Sequence, residues 1–380
     1  MSSRPAPFAA HRADLAALAA DDRRRALIAR SGRDFASNDY LALADSDALR
    51  RALAEGIARG LPAGSGGSRL LRGNHEEHEM LEAHAARHYG SEAALFFPTG
   101  FAANAALFAT LPQRGDLIVH DELIHASAHD GMKLGRAGRV DARHNDAQSV
   151  DDIIARWRRG GGTGTPWIAV ESLYSMDGDR APLADLAAVA ERHDAVLVVD
   201  EAHATGVFGP DGQGLAHALG PRDNLITLHT CGKALGCEGA LLCGPQIVRE
   251  FLVNRGRPFI FSTAPSPLIA FLVRQALEIV ANEPERQALL HARIRHAEMR
   301  LAALGLPSSG SHILPVTIGD NARTMRVAGA MQAAGFDIRG IRPPTVPHGT
   351  ARLRIAITLH VEDGDIDAMT DALAAAMASA

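Results

Sequence analysis

Cysteine is scarce in this 380-residue chain, confined to Cys231, Cys237 and Cys243 in one short stretch. An odd count argues against a disulfide framework, and the even spacing resembles no common zinc pattern. Buried or loop thiols in a reducing compartment are the expectation. Aromatic residues make up only 4% of the chain. Long apolar runs are missing too. The most apolar window, Ala93–Pro112, is interrupted by Pro98, Gly100 and Asn104, which argues against a membrane span. Met1–Arg25 has no apolar leader core, and its acids Asp14, Asp21 and Asp22 argue against a transit peptide, so the cytoplasm is expected. No sign of charge dominates: 39 Lys and Arg stand against 44 Asp and Glu, a net charge of −5. That balance implies neither a nucleic-acid partner nor an anionic membrane. The glycine loop Gly64–Gly67 is followed by no GK[ST], and no GxGxxG follows the first strand. A nucleotide-binding α/β protein is therefore a poor reading.

What is present suits a large globular fold. Hydrophobic residues reach 47% and charged residues 22%, with length enough for one large domain and a smaller one. Apolar runs at 116–120, 167–171 and 195–200 alternate with helical patterns such as 182–193, which predicts βαβ units and a mostly parallel sheet. The expected layout is an N-terminal helical arm over 1–45, a large domain over 46–270, and a long helical connection with a C-terminal α+β domain over 271–380. In the last, strands are expected at 312–318, 337–341 and 352–358, with helices at 322–334 and 362–377. Residues 13–28 read as an amphipathic helix ending in Arg23-Arg24-Arg25, and 45–59 as a second helix. His75, His78, His84 and His88 share one helical stretch; interleaved Glu77 and Glu79, with no HExxH, favour ordinary polar histidines over a metal site.

The chain is organised around 225–243. Leu225–Leu228 is a short β-branched and apolar run, and Gly239–Cys243 is another; Lys233 lies in the glycine-rich connection between them. A lysine taken out of water is driven towards its neutral, nucleophilic form, which makes an imine with a carbonyl; a lysine that simply reaches solvent is the bland alternative. Upstream, Ala195–Val199 is a continuous apolar run ending in Asp200, with His203 three residues on. An acid at the carboxyl end of a buried parallel strand faces the ligand crevice of an α/β sheet. A metal-binding or Walker-B acid would also sit there. A pyridine-ring cofactor needs such an anion to keep its ring nitrogen protonated, and D-x-x-H followed by a strand-loop lysine fits pyridoxal 5′-phosphate (PLP). Thr99–Asn104 begins a helix after Pro98, where free N–H groups of Gly100 and Phe101 suit a phosphate. His125 follows a strand and lies near the crevice; Ser175 and Thr230 are further candidate cofactor donors. Arg354 is a candidate clamp for a carboxylate through two parallel hydrogen bonds, with a structural salt bridge as the alternative.

In family order, the stretches SNDYLAL (37–43), GSGGSRL (64–70), GNHEEHEMLE (73–82), FPTGFAAN (97–104), DELIHAS (121–127), ESLYSMDGD (171–179), VVDEAHATGVFG (198–209), HTCGKALG (229–236), FIFSTAPSP (259–267) and IRPPTVPHGTARLRI (341–355) resemble the α-oxoamine synthases, fold-type I PLP enzymes. The resemblance spans nearly the whole chain. It implies a three-layer α/β large domain, a smaller C-terminal domain and a homodimer, with Ser262 and Thr263 reaching the phosphate of the neighbouring subunit. It implies Lys233 as the cofactor lysine and base, and His125 stacked on the ring. Asp200 would face the ring nitrogen, His203 the ring hydroxyl. It implies substrate contacts at Arg23, Asn38, Thr345 and Arg354. Arg342–Pro347 is most similar to the branch that condenses L-alanine with a pimeloyl thioester, on coenzyme A or a carrier protein, for biotin synthesis. Cys231, where many members of that branch carry phenylalanine, and Leu235 depart from the pattern and bear on acyl specificity. The alternatives are a sister branch (glycine C-acetyltransferase, 5-aminolevulinate synthase, serine palmitoyltransferase or a signalling amino-ketone synthase) and a PLP-fold binding protein without catalysis.

Overall fold

The computed structural model describes residues 6–380; Met1–Pro5, which open the stretch read for a leader, lie outside the described residues. In chain order the strands are β1 (Arg33–Asp34), β2 (Ala93–Phe97), β3 (Leu117–Asp121), β4 (Gly138–Ala142), β5 (Pro166–Glu171), β6 (Val196–Asp200), β7 (Leu225–Thr230), β8 (Ala240–Gly244), β9 (Ile313–Gly319), β10 (Phe336–Asp337), β11 (Arg339–Ile341) and β12 (Ala351–Ala356). The chain divides into two units. One comprises Asn38–Ser175 and Asp179–Leu290; the other takes in the chain up to Ser37, Met176–Gly178 and His291–Ala380.

The first unit is built on a seven-stranded sheet in the order β2-β8-β7-β6-β5-β3-β4. The strands β4, β3, β5, β6 and β7 run parallel, and β8 turns back antiparallel between β7 and β2. Successive side chains of a strand point to opposite faces, and both faces here are apolar. Ile118, Ala169, Val198, Ile226 and Leu228 pack with the helix Gly100–Thr110, through Ala103, Leu107 and Phe108. On the other face Val119, Ile168, Val170, Leu197 and Val199 pack with the helices Ala147–Arg159 and Leu183–Arg192. Two-sided burial is why these strands read as continuous apolar runs, and each fully buried Leu, Val or Ile contributes roughly 1.5–3 kcal/mol. The α/β class and the mostly parallel sheet expected from the sequence are present.

In the second unit β12 pairs antiparallel with both β9 and β11, and all six of its residues are buried. Helices Asn321–Ala333 and Asp363–Ser379 belong to this unit, and β1 pairs in parallel with β10. The strand expected over 337–341 is two pieces, because Ile338 N–H bonds back to Phe336 O and interrupts the ladder. The N-terminal helix expected over 13–28 is Ala9–Ala20, buries no residue, and is not an amphipathic core element. It stops because Asp22 adopts a left-handed φ of 51° and Arg23 N–H bonds back to Leu18 O at 2.7 Å. The long helical connection expected to open the C-terminal segment is two helices, Pro267–Asn282 and Pro284–Ala303.

Candidate active site

The parallel strands β3, β5 and β6 end at Asp121, Glu171 and Asp200, and in the register of the sheet Glu171 lies beside Asp200. Carboxyl ends of parallel strands open onto the ligand crevice of such a sheet. Asp200 shares its face of β6 with Val198, the face covered by the helix Gly100–Thr110. From that helix Asn104 Nδ2 donates to Asp200 Oδ2 at 2.9 Å, and Ala202 N–H donates to Oδ1 at 3.0 Å. Asn104 Nδ2 also donates to Ser127 Oγ at 2.9 Å, which lies 2.8 Å from His125 Nδ1. Asp200, Asn104, Ser127 and His125 thus form one bonded run.

Lys233 is half-buried in the β7–β8 connection, which is closed by Cys231 N–H to Gly239 O and Gly236 N–H to Lys233 O, both at 2.8 Å. Its Nζ lies 2.6 Å from His203 Nε2, and His203 Nδ1 lies 2.7 Å from the Tyr40 hydroxyl. That hydroxyl donates to Asn38 Oδ1 at 2.9 Å. Cys231 and Leu235, the departures from the family pattern, are both buried within the loop. All three thiols are free, and burial raises the pKa of each, Cys237 and Cys243 to about 12, which disfavours the reactive thiolate.

Electrostatics separates the acids. Burial, and next the charge of Asp200, pushes Glu171 up to about 8 against the opposing pull of Lys233 and the Ser175 N–H, so Glu171 is neutral at pH 7. Its Oε1 is buried without a hydrogen-bond partner. His125 is exposed by surface area, yet the atoms crowding its ring lower its pKa; Lys233 adds to this and Asp200 opposes it. His125 is therefore a neutral, flat ring at the crevice.

Thr99 caps the helix Gly100–Thr110 by accepting Ala102 N–H at 3.0 Å. A Cβ added to Gly100 would stand 3.7 Å from Thr230 Oγ1, so this helix start lies against the end of β7. A helix N-terminus beside a hydroxyl is an anion site. An amine, an acid, a flat imidazole and an anion cradle on one crevice fit a phosphorylated pyridine aldehyde. Ser262 donates to Pro258 O at 2.5 Å and Thr263 is exposed. Their segment is tied to the glycine loop by Ala264 N–H to Gly67 O at 2.9 Å.

The aminotransferase class I and II family matches residues 32–373. The 8-amino-7-oxononanoate synthase of Anaeromyxobacter dehalogenans (strain 2CP-1) is 44% identical over 90% of this chain and 85% of its own length. The synthase of the same description from Chromobacterium violaceum is 42% identical over 90% and 88%. The chain belongs to the class I and II aminotransferase family, in its 8-amino-7-oxononanoate synthase group. Among solved structures, a serine palmitoyltransferase from Sphingomonas wittichii superposes with a TM-score of 0.89 at 25% identity, covering 98% of each chain. An 8-amino-7-oxononanoate synthase from Francisella tularensis gives 0.77 at 27% identity, over 91% of this chain and 97% of that one. The family cofactor is PLP, and the groups gathered around Lys233 and Asp200 are compatible with it.

The remaining family positions lie in the second unit. Arg354 is buried on β12 opposite Arg339 and Pro315. Arg23 Nε donates to Pro343 O at 3.0 Å, and Arg25 Nη2 donates to Thr345 Oγ1 at 2.8 Å. These residues line a cavity of about 150 Å³ with Arg342, whose pKa is lowered by burial and by Arg25. Arg25 and Arg342 carried no role in the sequence reading, nor did Tyr40, Asn104, Ser127 or Glu171, although each except Arg25 falls in a stretch that matched the family. The four histidines of 75–88 hold no metal arrangement among the described residues. His75 and His78 cap their helix, and burial takes His88 down to about 4.

Proposed function

We propose that this chain condenses L-alanine with a pimeloyl thioester, giving 8-amino-7-oxononanoate, carbon dioxide and free thiol for biotin synthesis. The observation that carries the reading is the approach of Lys233 Nζ to His203 Nε2 in the crevice that also holds Asp200. Lys233 would hold PLP covalently through Nζ, and His125 would cover its ring face. Asp200 would bond the ring nitrogen and His203 the ring oxygen. Gly100, Phe101, Ser175 and Thr230 would hold the phosphate, and Ser262 and Thr263 that of a partner copy. PLP supplies an electron sink for charge developing at the amino acid's Cα. Once the amine of the incoming amino acid has taken the place of its nitrogen, the freed Lys233 Nζ would take the Cα proton; a carbon–carbon bond would then form to the acyl carbonyl as the carbon–sulfur bond breaks and the thiol leaves. Loss of the carboxylate as carbon dioxide and return of a proton to Cα complete the balance. Asp200 would maintain the positive charge on the ring nitrogen, and Glu171 beside it, its pKa raised by burial and by Asp200, would not compete for that proton. Arg354 and Asn38 would hold the amino-acid carboxylate, and Arg23 and Thr345 the acyl substrate.

The enzyme would work in the cytoplasm as a homodimer, with the acyl group delivered on coenzyme A or a carrier protein. No helix among the described residues is long and apolar enough to cross a membrane. The superposition on serine palmitoyltransferases supports a second reading, L-serine with a long-chain thioester. A panel of alanine, serine and glycine against pimeloyl, palmitoyl and acetyl thioesters decides between them. Carbon dioxide and thiol released together only with alanine and the pimeloyl donor is the expected result; preference for serine and palmitoyl donor moves the chain to the sister branch.

A further inference from the structure

Both ring nitrogens of His203 are engaged, Nε2 with Lys233 Nζ at 2.6 Å and Nδ1 with the Tyr40 hydroxyl at 2.7 Å. A neutral imidazole carries one hydrogen, so these two contacts have opposite polarity. The polarity can be read from the far end. Asn38 Oδ1 only accepts, so the single hydroxyl hydrogen of Tyr40 goes to it, at 2.9 Å. The Tyr40 oxygen then turns a lone pair to His203, and Nδ1 donates. Nε2 is left with its lone pair towards Lys233, whose nitrogen carries hydrogens to give in either protonation state. Tyr40 is fully buried, and its ring centroid stands 6.1 Å from that of His203. The hydroxyl is therefore held at one place by packing.

We propose that Tyr40 is a positioning residue: relayed from Asn38, its hydroxyl fixes the proton of His203 on Nδ1, so that Nε2 holds the Lys233 amine facing the crevice. Its consequence for cofactor capture rests on the PLP reading; the tautomer itself does not. Two substitutions act on the relay differently. Tyr40→Phe keeps the ring and its burial but removes the acceptor of the Nδ1 hydrogen. Asn38→Ala leaves the hydroxyl and frees its hydrogen to turn towards Nδ1, which drives the proton to Nε2.

The test is nitrogen-15 NMR of the histidine rings in cofactor-free full-length protein, followed by the growth of the visible band after PLP is added. The wild type is expected to carry the His203 proton on Nδ1. Asn38→Ala is expected to move it to Nε2, and Tyr40→Phe to shift the population the same way. Capture of PLP by Tyr40→Phe should slow about fivefold, the scale of one hydrogen bond. A wild-type proton on Nε2, or one tautomer shared by all three proteins, overturns the proposal. Should Tyr40→Phe fail to fold, Asn38→Ala decides alone. If no protein acquires a visible band, the PLP reading falls while the NMR result still decides the role of Tyr40.

Discussion

At the scale of single residues, the chemistry depends on groups whose partners lie far away in the chain. Lys233 is the proposed base and attachment point, so Lys233→Ala should lower turnover at least about 1,000-fold and abolish the visible band that borohydride bleaches. Retained turnover measured by thiol release would remove Lys233 from that role. Asn104 is a finer probe. It donates to both Asp200 and Ser127, and a hydrogen bond to a charged group is worth about 1.5–3 kcal/mol. Asn104→Ala should therefore reduce kcat by about tenfold or more and weaken PLP retention, as read by dialysis, with KM for the thioester little changed. Lys233, Asp200 and His203 stood out in the sequence because the proposed roles need those types at, or three residues past, the end of a buried strand. No role was assigned there to Tyr40 or Asn104, whose partners His203 and Asp200 lie 163 and 96 residues away. Their amide and phenol groups are common in ordinary cores, and only the fold shows what they face.

At the scale of elements, β3, β5, β6, β7 and β8 were legible because burial leaves unbroken apolar runs, and only their ends moved by a residue or two; β2 was not singled out as a strand, and β4 was missed because four of its five residues are exposed. The N-terminal helix was not legible, since its leucines and alanines bury nothing and the Asp21-Asp22 turn cuts it short. A second feature hidden from the sequence is the tie between the end of β3 and two loops. His144 bonds Asp121 at 2.9 Å and Asp179 at 2.8 Å, and Asn145 N–H reaches Asp121 at 2.8 Å. Burial lowers the His144 pKa, but the two carboxylates outweigh it and raise it to about 10; Asp121 is lowered, its burial outweighed by His144 and backbone donors. A raised histidine binds its proton more tightly when folded, so its contribution is full below the unfolded pKa of about 6.5 and is lost as pH rises through about 10. The depressed Asp121 sets the lower edge, near its unfolded value of about 4. His144→Gln should cost about 1–2 kcal/mol between roughly pH 4 and 6.5, with the gap closing towards pH 10. Urea unfolding of the cofactor-free protein across that range measures it; a gap independent of pH would reject the ion pair as its source.

At the scale of the whole molecule, the first unit leaves large apolar side chains in water next to the loop that the family reading assigns to a partner's phosphate. Leu71 is 81% exposed, Phe261 72% and Leu70 50%. The glycine loop that precedes the leucines and the segment after Phe261 are joined by Ala264 N–H to Gly67 O and by Ser65 Oγ to Ala264 O at 2.8 Å. Single exposed leucines need no explanation, but apolar groups gathered on two joined loops mark an interaction surface. The homodimer proposed above would place a second copy over Ser262 and Thr263, which lie between Phe261 and that junction. Closing this face removes apolar area worth about 25 cal/mol per Å²; a charge placed there loses that gain and adds the cost of burying itself. If the proposed dimer forms through this face, the wild type should sediment as a dimer at micromolar concentration and Leu71→Glu as a monomer. PLP should leave the monomer faster, because each phosphate site would lack the hydroxyls supplied by its partner. A dimer that survives Leu71→Glu and Phe261→Glu together, with cofactor release unchanged, would separate this surface from assembly and confine the phosphate site to Gly100, Phe101, Ser175 and Thr230 of one chain.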